Sequence, residues 1–302
     1  MSVNTWIIVA GDPAIGTLID TARSLGGSVS VAVVGPREVA DTVAAAGVDK
    51  VTWFGEPGSA PAEAYAVAVA DAIAAAAPSL VLAANRASDR VLLGAAAASL
   101  QAPVLTGVKS VAADGDAVVV SCSTFGGIAE ETVSVTGPLA LLLEGGPVPA
   151  ASTPVAVDEV PAVPLGITVV DSKPSSFEQV DLGAATRVIG IGRGLKTKDD
   201  LALVDALAAS VKAEVACSRP VAEGLDWLGK DRYIGVSGAH ISPDLYFAIG
   251  ISGQLQHMVG VRGAKTIVAI NTDANAPVFK EADYCLVGDL YSIVPALTDA
   301  LR

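Results

Sequence analysis

Between residues 250 and 257 the chain reads Gly-Ile-Ser-Gly-Gln-Leu-Gln-His, which gathers a hydroxyl, two side-chain amides and an imidazole. Glycines in such a stretch let a backbone approach a ligand closely, and amides at the start of a helix suit a phosphate. His257 is one of only 2 histidines in the chain, so its place at the end of this cluster carries information. The stretch follows the apolar run Leu245 to Ile249 and turns on two glycines. The expected strands of the C-terminal half end on polar or glycine groups: Arg193, Ser218-Arg219, Ser237, Asn271 and Asp289. Taken singly, each is an ordinary loop residue. Parallel sheets bind ligands at the carboxyl ends of their strands, so together these groups predict one binding crevice.

The residue types point to binding rather than covalent chemistry. Cys217 has a cation nearby at Arg219, but no base can be named for it, and a neighbouring cation alone does not make a nucleophile. The 3 cysteines, Cys122, Cys217 and Cys285, lie far apart and suit buried packing in a reducing compartment better than disulfides or a metal site. No metal cluster is expected. Gly190-Ile191-Gly192-Arg193-Gly194 does not have the spacing of the dinucleotide-binding glycine fingerprint. His240, in a turn after Ser237, is read as a surface residue.

The elements that must position these groups follow an α/β rhythm. In the N-terminal half, strands at Trp6 to Ala10, Val29 to Val34, Lys50 to Phe54 and Leu80 to Ala83 alternate with helices at Pro13 to Leu25, Arg37 to Ala46, Pro61 to Ala77 and Asp89 to Leu100. That spacing means parallel strands with crossovers. After Pro103 the period changes: Ala117 to Ser123, Glu131 to Val135 and Leu139 to Leu143 read as a meander or antiparallel edge added to the sheet. Residues 144–176 are rich in Pro, Gly, Ser and Val and read as a closing strand and a linker, loosest at Lys173 to Ser176.

A second α/β unit begins near Arg187. Its expected strands are Arg187 to Ile191, Glu214 to Cys217, Tyr233 to Val236, Thr266 to Ile270 and Tyr284 to Val287. Its helices are expected at Asp199 to Lys212 and Leu290 to Leu301, with another starting at Ser242-Pro243-Asp244 on a capping hydroxyl and a first-turn proline. The fold class is therefore α/β in two domains. Residues 1–176 form an α/β domain with a mostly parallel sheet plus antiparallel additions, and residues 177–302 form a doubly wound, Rossmann-like domain.

Composition agrees with this and excludes several functions. Hydrophobic residues make up 52% and aromatics only 4%, so the apolarity is aliphatic, as in buried parallel strands. Mean hydropathy is +0.55, yet the longest apolar run, Ala62 to Leu82, is alanine-rich and broken by Asp71 and Pro78, so no membrane insertion is expected. The N-terminus lacks a basic flank and an apolar core, so no export signal is expected and a bacterial, cytoplasmic location is. A net charge of −13 argues against nucleic acid as a partner.

Seven segments together resemble the α subunit of the electron transfer flavoproteins. They are Gly192-Arg193-Gly194-Leu195-Lys196, Ser218-Arg219-Pro220, Gly235-Val236-Ser237-Gly238, Gly250 to His257, Lys265 to Asn271, Ala276-Pro277-Val278-Phe279, and Ala282-Asp283-Tyr284 through Asp289-Leu290. They cover the C-terminal part in the family's order and spacing, while the N-terminal half resembles the family only in its rhythm. The resemblance implies FAD across the C-terminal domain, one per heterodimer. Arg219 would lie against the flavin ring and favour its anionic reduced states. Ser237 would place a hydroxyl near N5, and His257 would donate to the ring carbonyl at C2. Ser218, Ser252 and Gln256 would reach the ribityl chain or phosphates, and Arg193 would pair with the diphosphate. Asn271 and Asp289 would lie near the adenosine, Asp289 accepting from a ribose hydroxyl. Gly194, Val236, Gly238, Gly253 and Leu290 fall in the same segments and are expected to contact the cofactor.

Two departures from the family's pattern matter, at Val236 and Ala239, while Ser237 keeps the hydroxyl. Where members usually carry Gln-Thr-Gly-Lys this chain has Val236-Ser237-Gly238-Ala239, losing a side-chain amide and a charge, so a different flavin potential is expected. The resemblance further implies a β subunit that itself holds AMP or a second FAD. It implies flavoprotein dehydrogenases, chiefly acyl-CoA dehydrogenases, as electron donors and a membrane quinone reductase as acceptor. The chain would be a carrier without substrate chemistry of its own, its N-terminal domain docking the β subunit. The alternative is a stand-alone nucleotide-binding or sensory module using the same crevice without redox turnover. A yellow heterodimer distinguishes the first from a colourless monomer that binds NAD or ATP.

Overall fold

The computed structural model describes residues 3–127, 129–172, 180, 182–183 and 185–301. The chain divides into two compact units, Met1–Ser172 and Lys173–Arg302. The linker segment Lys173 to Ser176 lies outside the described residues. Among the described residues no helix is long and apolar enough to cross a membrane.

Unit 1 contains strands β1 (Thr5–Ala10), β2 (Val29–Val34), β3 (Lys50–Trp53), β4 (Leu80–Ala84), β5 (Val104–Leu105), β6 (Val108–Asp114), β7 (Ala117–Thr124), β8 (Ala129–Thr136), β9 (Leu139–Leu143) and β10 (Val157–Glu159). Its helices are α1 (Gly16–Ser24), α2 (Arg37–Ala44), α3 (Ala66–Ala76) and α4 (Ala87–Leu100). Seven strands form a parallel sheet in the order β10-β3-β2-β1-β4-β9-β5. Runs such as Leu80–Ala84 are buried along their whole length, as strands covered on both faces must be. Strands β6, β7 and β8 form a separate antiparallel sheet. Leu139–Leu143 is not part of that meander. It returns to the parallel sheet beside β4, because its uninterrupted Leu-Ala-Leu-Leu-Leu run suits an interior position. The closing strand of the 144–176 segment is β10, which pairs in parallel with β3 at the sheet edge.

Unit 2 contains β11 (Arg187–Ile191), β12 (Glu214–Ser218), β13 (Tyr233–Ile234), β14 (Leu245–Ile249), β15 (Ile267–Asn271) and β16 (Tyr284–Val287). The helices are α5 (Leu201–Val211), α6 (Arg219–Glu223), α7 (Leu255–Met258) and α8 (Leu290–Ala300). The six strands are parallel in the order β13-β12-β11-β14-β15-β16, with one apolar cluster around Leu207, Phe247 and Val294 and another around Tyr246, Met258 and Val261. This is the doubly wound order, in which the winding reverses between the first strand, β11, and the fourth, β14.

The helix expected at Ser242 is a strand lead-in instead. Asp244 N donates to the Thr186 carbonyl at 2.8 Å, and Lys265 N donates to the Pro243 carbonyl at 2.9 Å. These bonds feed Leu245–Ile249 into the middle of the sheet between β11 and β15, and that burial outweighs a local helix-start pattern. Strand β13 ends two residues earlier than expected. Gly235 turns at φ +143°, and Val236 N leaves the ladder to donate to the Gln256 carbonyl at 2.8 Å.

Candidate functional site

The carboxyl ends of β11, β12, β13 and β14 open onto one cavity of about 630 Å³. It sits at the reversal point between β11 and β14, the usual place for a ligand in a doubly wound sheet. Gly192 and Arg193 reach it from β11, and Ser218, Arg219 and Pro220 from β12. Ile234 to Ser237, with Tyr233, line it from β13; Gly250, Ile251, Ser252, Gln254, Gln256 and His257 line it from β14. Its volume falls within the usual range of small-molecule sites.

Two loops can meet here only because both are built on glycine. Gly250 adopts φ +62°, and Gly194 N donates to its carbonyl at 3.1 Å. A Cβ on Gly192 would stand 2.3 Å from the Gly250 oxygen, and one on Gly194 would stand 2.5 Å from Gly250 Cα. Any side chain at these positions would force the loops apart.

His257 is the one ionisable side chain of the cavity wall that is deeply buried, with 8% of its surface exposed. Its Nε2 lies 2.7 Å from the Tyr246 hydroxyl, while Nδ1 is buried without a hydrogen-bond partner. Burial pushes the imidazole pKa down to about 4, the Ile234 backbone offsetting part of the effect. The ring is therefore neutral at physiological pH. Cys217, just before the cavity residues of β12, has its thiol pushed up to about 12 by burial, so it stays protonated and is no nucleophile.

Positive charge lies at the rim. Arg219 opens α6 and pairs with Glu223 one turn on, with 61% of its side chain exposed. That bond pulls the Glu223 carboxyl below its usual range and raises the guanidinium. Arg193 is exposed beside Gly192. The Ser237 carbonyl accepts from the Tyr233 hydroxyl, which closes the turn after β13.

Eight of the residues expected at the site thus line one cavity: Arg193, Ser218, Arg219, Val236, Ser237, Ser252, Gln256 and His257. The others do not line it. Gly194, Gly238 and Gly253 frame it, packing against Gly250, the Tyr233 ring and the Val278 backbone. Asn271 uses both ends of its amide within the loops: Nδ2 donates to the Ile251 carbonyl at 2.9 Å, and Oδ1 accepts from Asp273 N at 3.0 Å. Asp289 caps α8, accepting from Tyr291 N at 3.2 Å, and Leu290 is buried in the core beneath. Tyr233, Ile234 and Tyr246 were not anticipated. The available signal for Tyr246 is a lone hydroxyl in the otherwise apolar strand Leu-Tyr-Phe-Ala-Ile.

Comparison with known proteins agrees across both units. Residues 12–165 match the electron transfer flavoprotein domain, and residues 181–262 match the electron transfer flavoprotein FAD-binding domain. YdiR of Escherichia coli (strain K12), named as an electron transfer flavoprotein subunit, is 57% identical over 131 residues, a match spanning 43% of this chain and 42% of that protein. Protein FixB of Escherichia coli (strain K12) is 34% identical over 306 residues, 98% of this chain and 97% of that protein. The chain belongs to the electron transfer flavoprotein family.

Proposed function

We propose that the cavity of unit 2 holds FAD and that the chain is the FAD-carrying subunit of a heterodimeric electron carrier. One observation carries this reading: every residue lining the cavity, from Gly192 to His257, falls within the stretch that matches the FAD-binding domain. The fit is chemical as well. The wall has apolar side chains at Ile234 and Val236, hydroxyls and an amide at Ser218, Ser252 and Gln256, and a buried imidazole nitrogen with an unmet hydrogen bond.

When bound, the flavin supplies one- and two-electron redox chemistry. The chain's own residues hold and tune it. His257 and Ser237 address the ring, the first as a neutral donor. Arg219 contributes a cation that stabilises added negative charge, tempered by Glu223 and by solvent. Arg193, Ser218, Ser252 and Gln256 address the ribityl and diphosphate chain. Asn271 acts through Ile251, whose carbonyl it anchors, and Asp289 offers its carboxylate at the adenosine end. Gly194, Gly238 and Gly253 shape the loops, and Leu290 seats α8. Val236 and Ala239 leave ring recognition more to backbone groups and shift the potential away from that of members with an amide and a lysine.

In this reading unit 1 docks a β subunit, flavoprotein dehydrogenases of the acyl-CoA type donate electrons, and a membrane quinone reductase accepts them. The test is co-purification with the β subunit. A yellow complex that bleaches on addition of an acyl-CoA dehydrogenase and its substrate supports the reading. A colourless chain, or one whose flavin the dehydrogenase leaves oxidised, refutes the corresponding half of it.

A further inference from the structure

Tyr246 is wholly buried in β14, and its hydroxyl crosses β11 at Gly190, where a Cβ would stand 1.9 Å from the oxygen. The hydrogen bond that hydroxyl makes is to Nε2 of His257, at 2.7 Å. Either group could be the donor, and the buried groups left over decide between the two arrangements. If Nε2–H donates, the phenolic proton and a bare Nδ1 are both stranded without partners. If the phenol donates, only Nδ1–H lacks a well-formed hydrogen bond, and the Ile234 backbone beside the ring acts as a weak acceptor that favours a ring N–H. Unpaired buried polar groups are costly, so one is favoured over two. Burial also keeps the phenol protonated and the imidazole uncharged, so neither a phenolate nor an imidazolium competes.

We propose that Tyr246 is a positioning residue: its hydroxyl donates to Nε2 of His257 and fixes the tautomer that carries the proton on Nδ1. The nitrogen with an unmet bond is then a donor, and its complement is a carbonyl oxygen. In the flavin reading, on which this last step rests, that oxygen belongs to the ring. Gly190 is part of the device, because only its missing side chain lets the hydroxyl pass across β11. The sequence shows Gly190 only as part of a glycine stretch and Tyr246 only as part of an apolar run, since the pairing exists only once β11 and β14 lie side by side.

The chain's 2 histidines make the tautomer directly readable. Full-length protein carrying His240→Gln, an exposed position, leaves His257 as the sole imidazole. Long-range proton–nitrogen NMR of ¹⁵N-labelled protein, without added flavin at neutral pH, should show a protonated Nδ1 and an unprotonated Nε2. Tyr246→Phe removes one oxygen and should return the ring to an Nε2–H or mixed population. An Nε2–H ring in the parent protein, or a tautomer unchanged by Tyr246→Phe, overturns the proposal; if that variant fails to fold, the parent spectrum decides alone. FAD titration then tests the consequence: Tyr246→Phe should bind FAD about tenfold more weakly, the loss expected for one hydrogen bond. Equal affinities would overturn the positioning role. An Nδ1–H ring in a chain that takes up no FAD would refute the flavin reading and leave the tautomer assignment standing.

Discussion

Each unit contains a parallel sheet whose winding reverses beside its first strand, between β1 and β4 in unit 1 and between β11 and β14 in unit 2. The reversal point of unit 1 is filled by the chain itself. Arg86 bonds the Asp12 carboxylate at 3.0 Å and the Asp12 and Ala14 carbonyls at 3.1 and 2.7 Å. Asp89 accepts from Ala10 N at 2.8 Å, and the first amides of α1 are taken by the carbonyls of Gly145 and Pro147. In unit 2 the same place is a cavity lined by a buried imidazole whose Nε2 is bonded and whose Nδ1 is not. Asp89 Oδ2 is likewise buried without a hydrogen bond, but the Arg86 guanidinium stands 3.9 Å away to balance its charge. One topology therefore gives either a joint closed by its own charged and polar groups or an open cavity, and how many of the strand-end groups bond to each other decides which.

The largest expected effect separates the two joints by their glycines. Gly192→Ala would push a methyl into the Gly250 carbonyl, and Gly145→Ala would do the same to the Ala14 carbonyl at 2.4 Å. Each should lower stability to denaturant by roughly 1–3 kcal/mol. Only Gly192→Ala should also weaken FAD binding, by about a hundredfold, whereas Gly145→Ala should leave it within about twofold. Similar flavin losses in both variants would erase the distinction.

The buried titratable groups of the two joints should respond to pH in opposite senses. Asp89 is raised to about 6, chiefly by burial, with Arg86 and the Ala10 amide opposing and Asp12 reinforcing. The folded state then holds its proton more tightly than the unfolded chain, so this contribution is greatest below about pH 4 and is lost as pH rises through 6. His257, lowered to about 4, contributes stability above about pH 6.5 that is lost as pH falls through 4. Each amounts to roughly 3 kcal/mol across its window. Unfolding measured from pH 4 to 7, as wild type minus Asp89→Asn and wild type minus His257→Gln, should give slopes of opposite sign. Slopes of the same sign would contradict the assigned environments.

A smaller effect is expected from Arg86→Met, which leaves the carbonyls of Asp12 and Ala14 without their donor and should cost unit 1 about 1–3 kcal/mol, with no change in flavin affinity. Smallest is Arg219→Ala. Its exposed, paired guanidinium should leave unfolding unchanged and only make the flavin harder to reduce, read as a more negative midpoint potential. An unchanged potential would remove Arg219 from the account.

The α/β rhythm was legible because aliphatic strands and alanine-rich helices alternate without ambiguity, and the site loops because their small and polar residues keep a family order. What was not legible depends on distant partners. Ser242-Pro243-Asp244 carries local helix-start chemistry, but bonds to Thr186 and Lys265 hold it extended. Leu139–Leu143 looks the same in sequence whether it joins β8 or β4; the choice is made by the sheet. Asn271 and Asp289 show why a polar residue after a strand is not by itself a ligand group. Short side chains of this kind can satisfy their own loop or cap the next helix, and both do. Tyr246 reads as core until Gly190 is seen to give its hydroxyl passage to His257.

The central claim is that the unit 2 cavity is a FAD site. Titrating FAD into the purified chain, followed by flavin fluorescence, tests it most directly when repeated with Ser252→Trp, which places an indole at an exposed position on the cavity wall. The account predicts saturation at one equivalent for the parent chain and loss of binding in the variant. No binding to the parent, or equal binding by both, would contradict it.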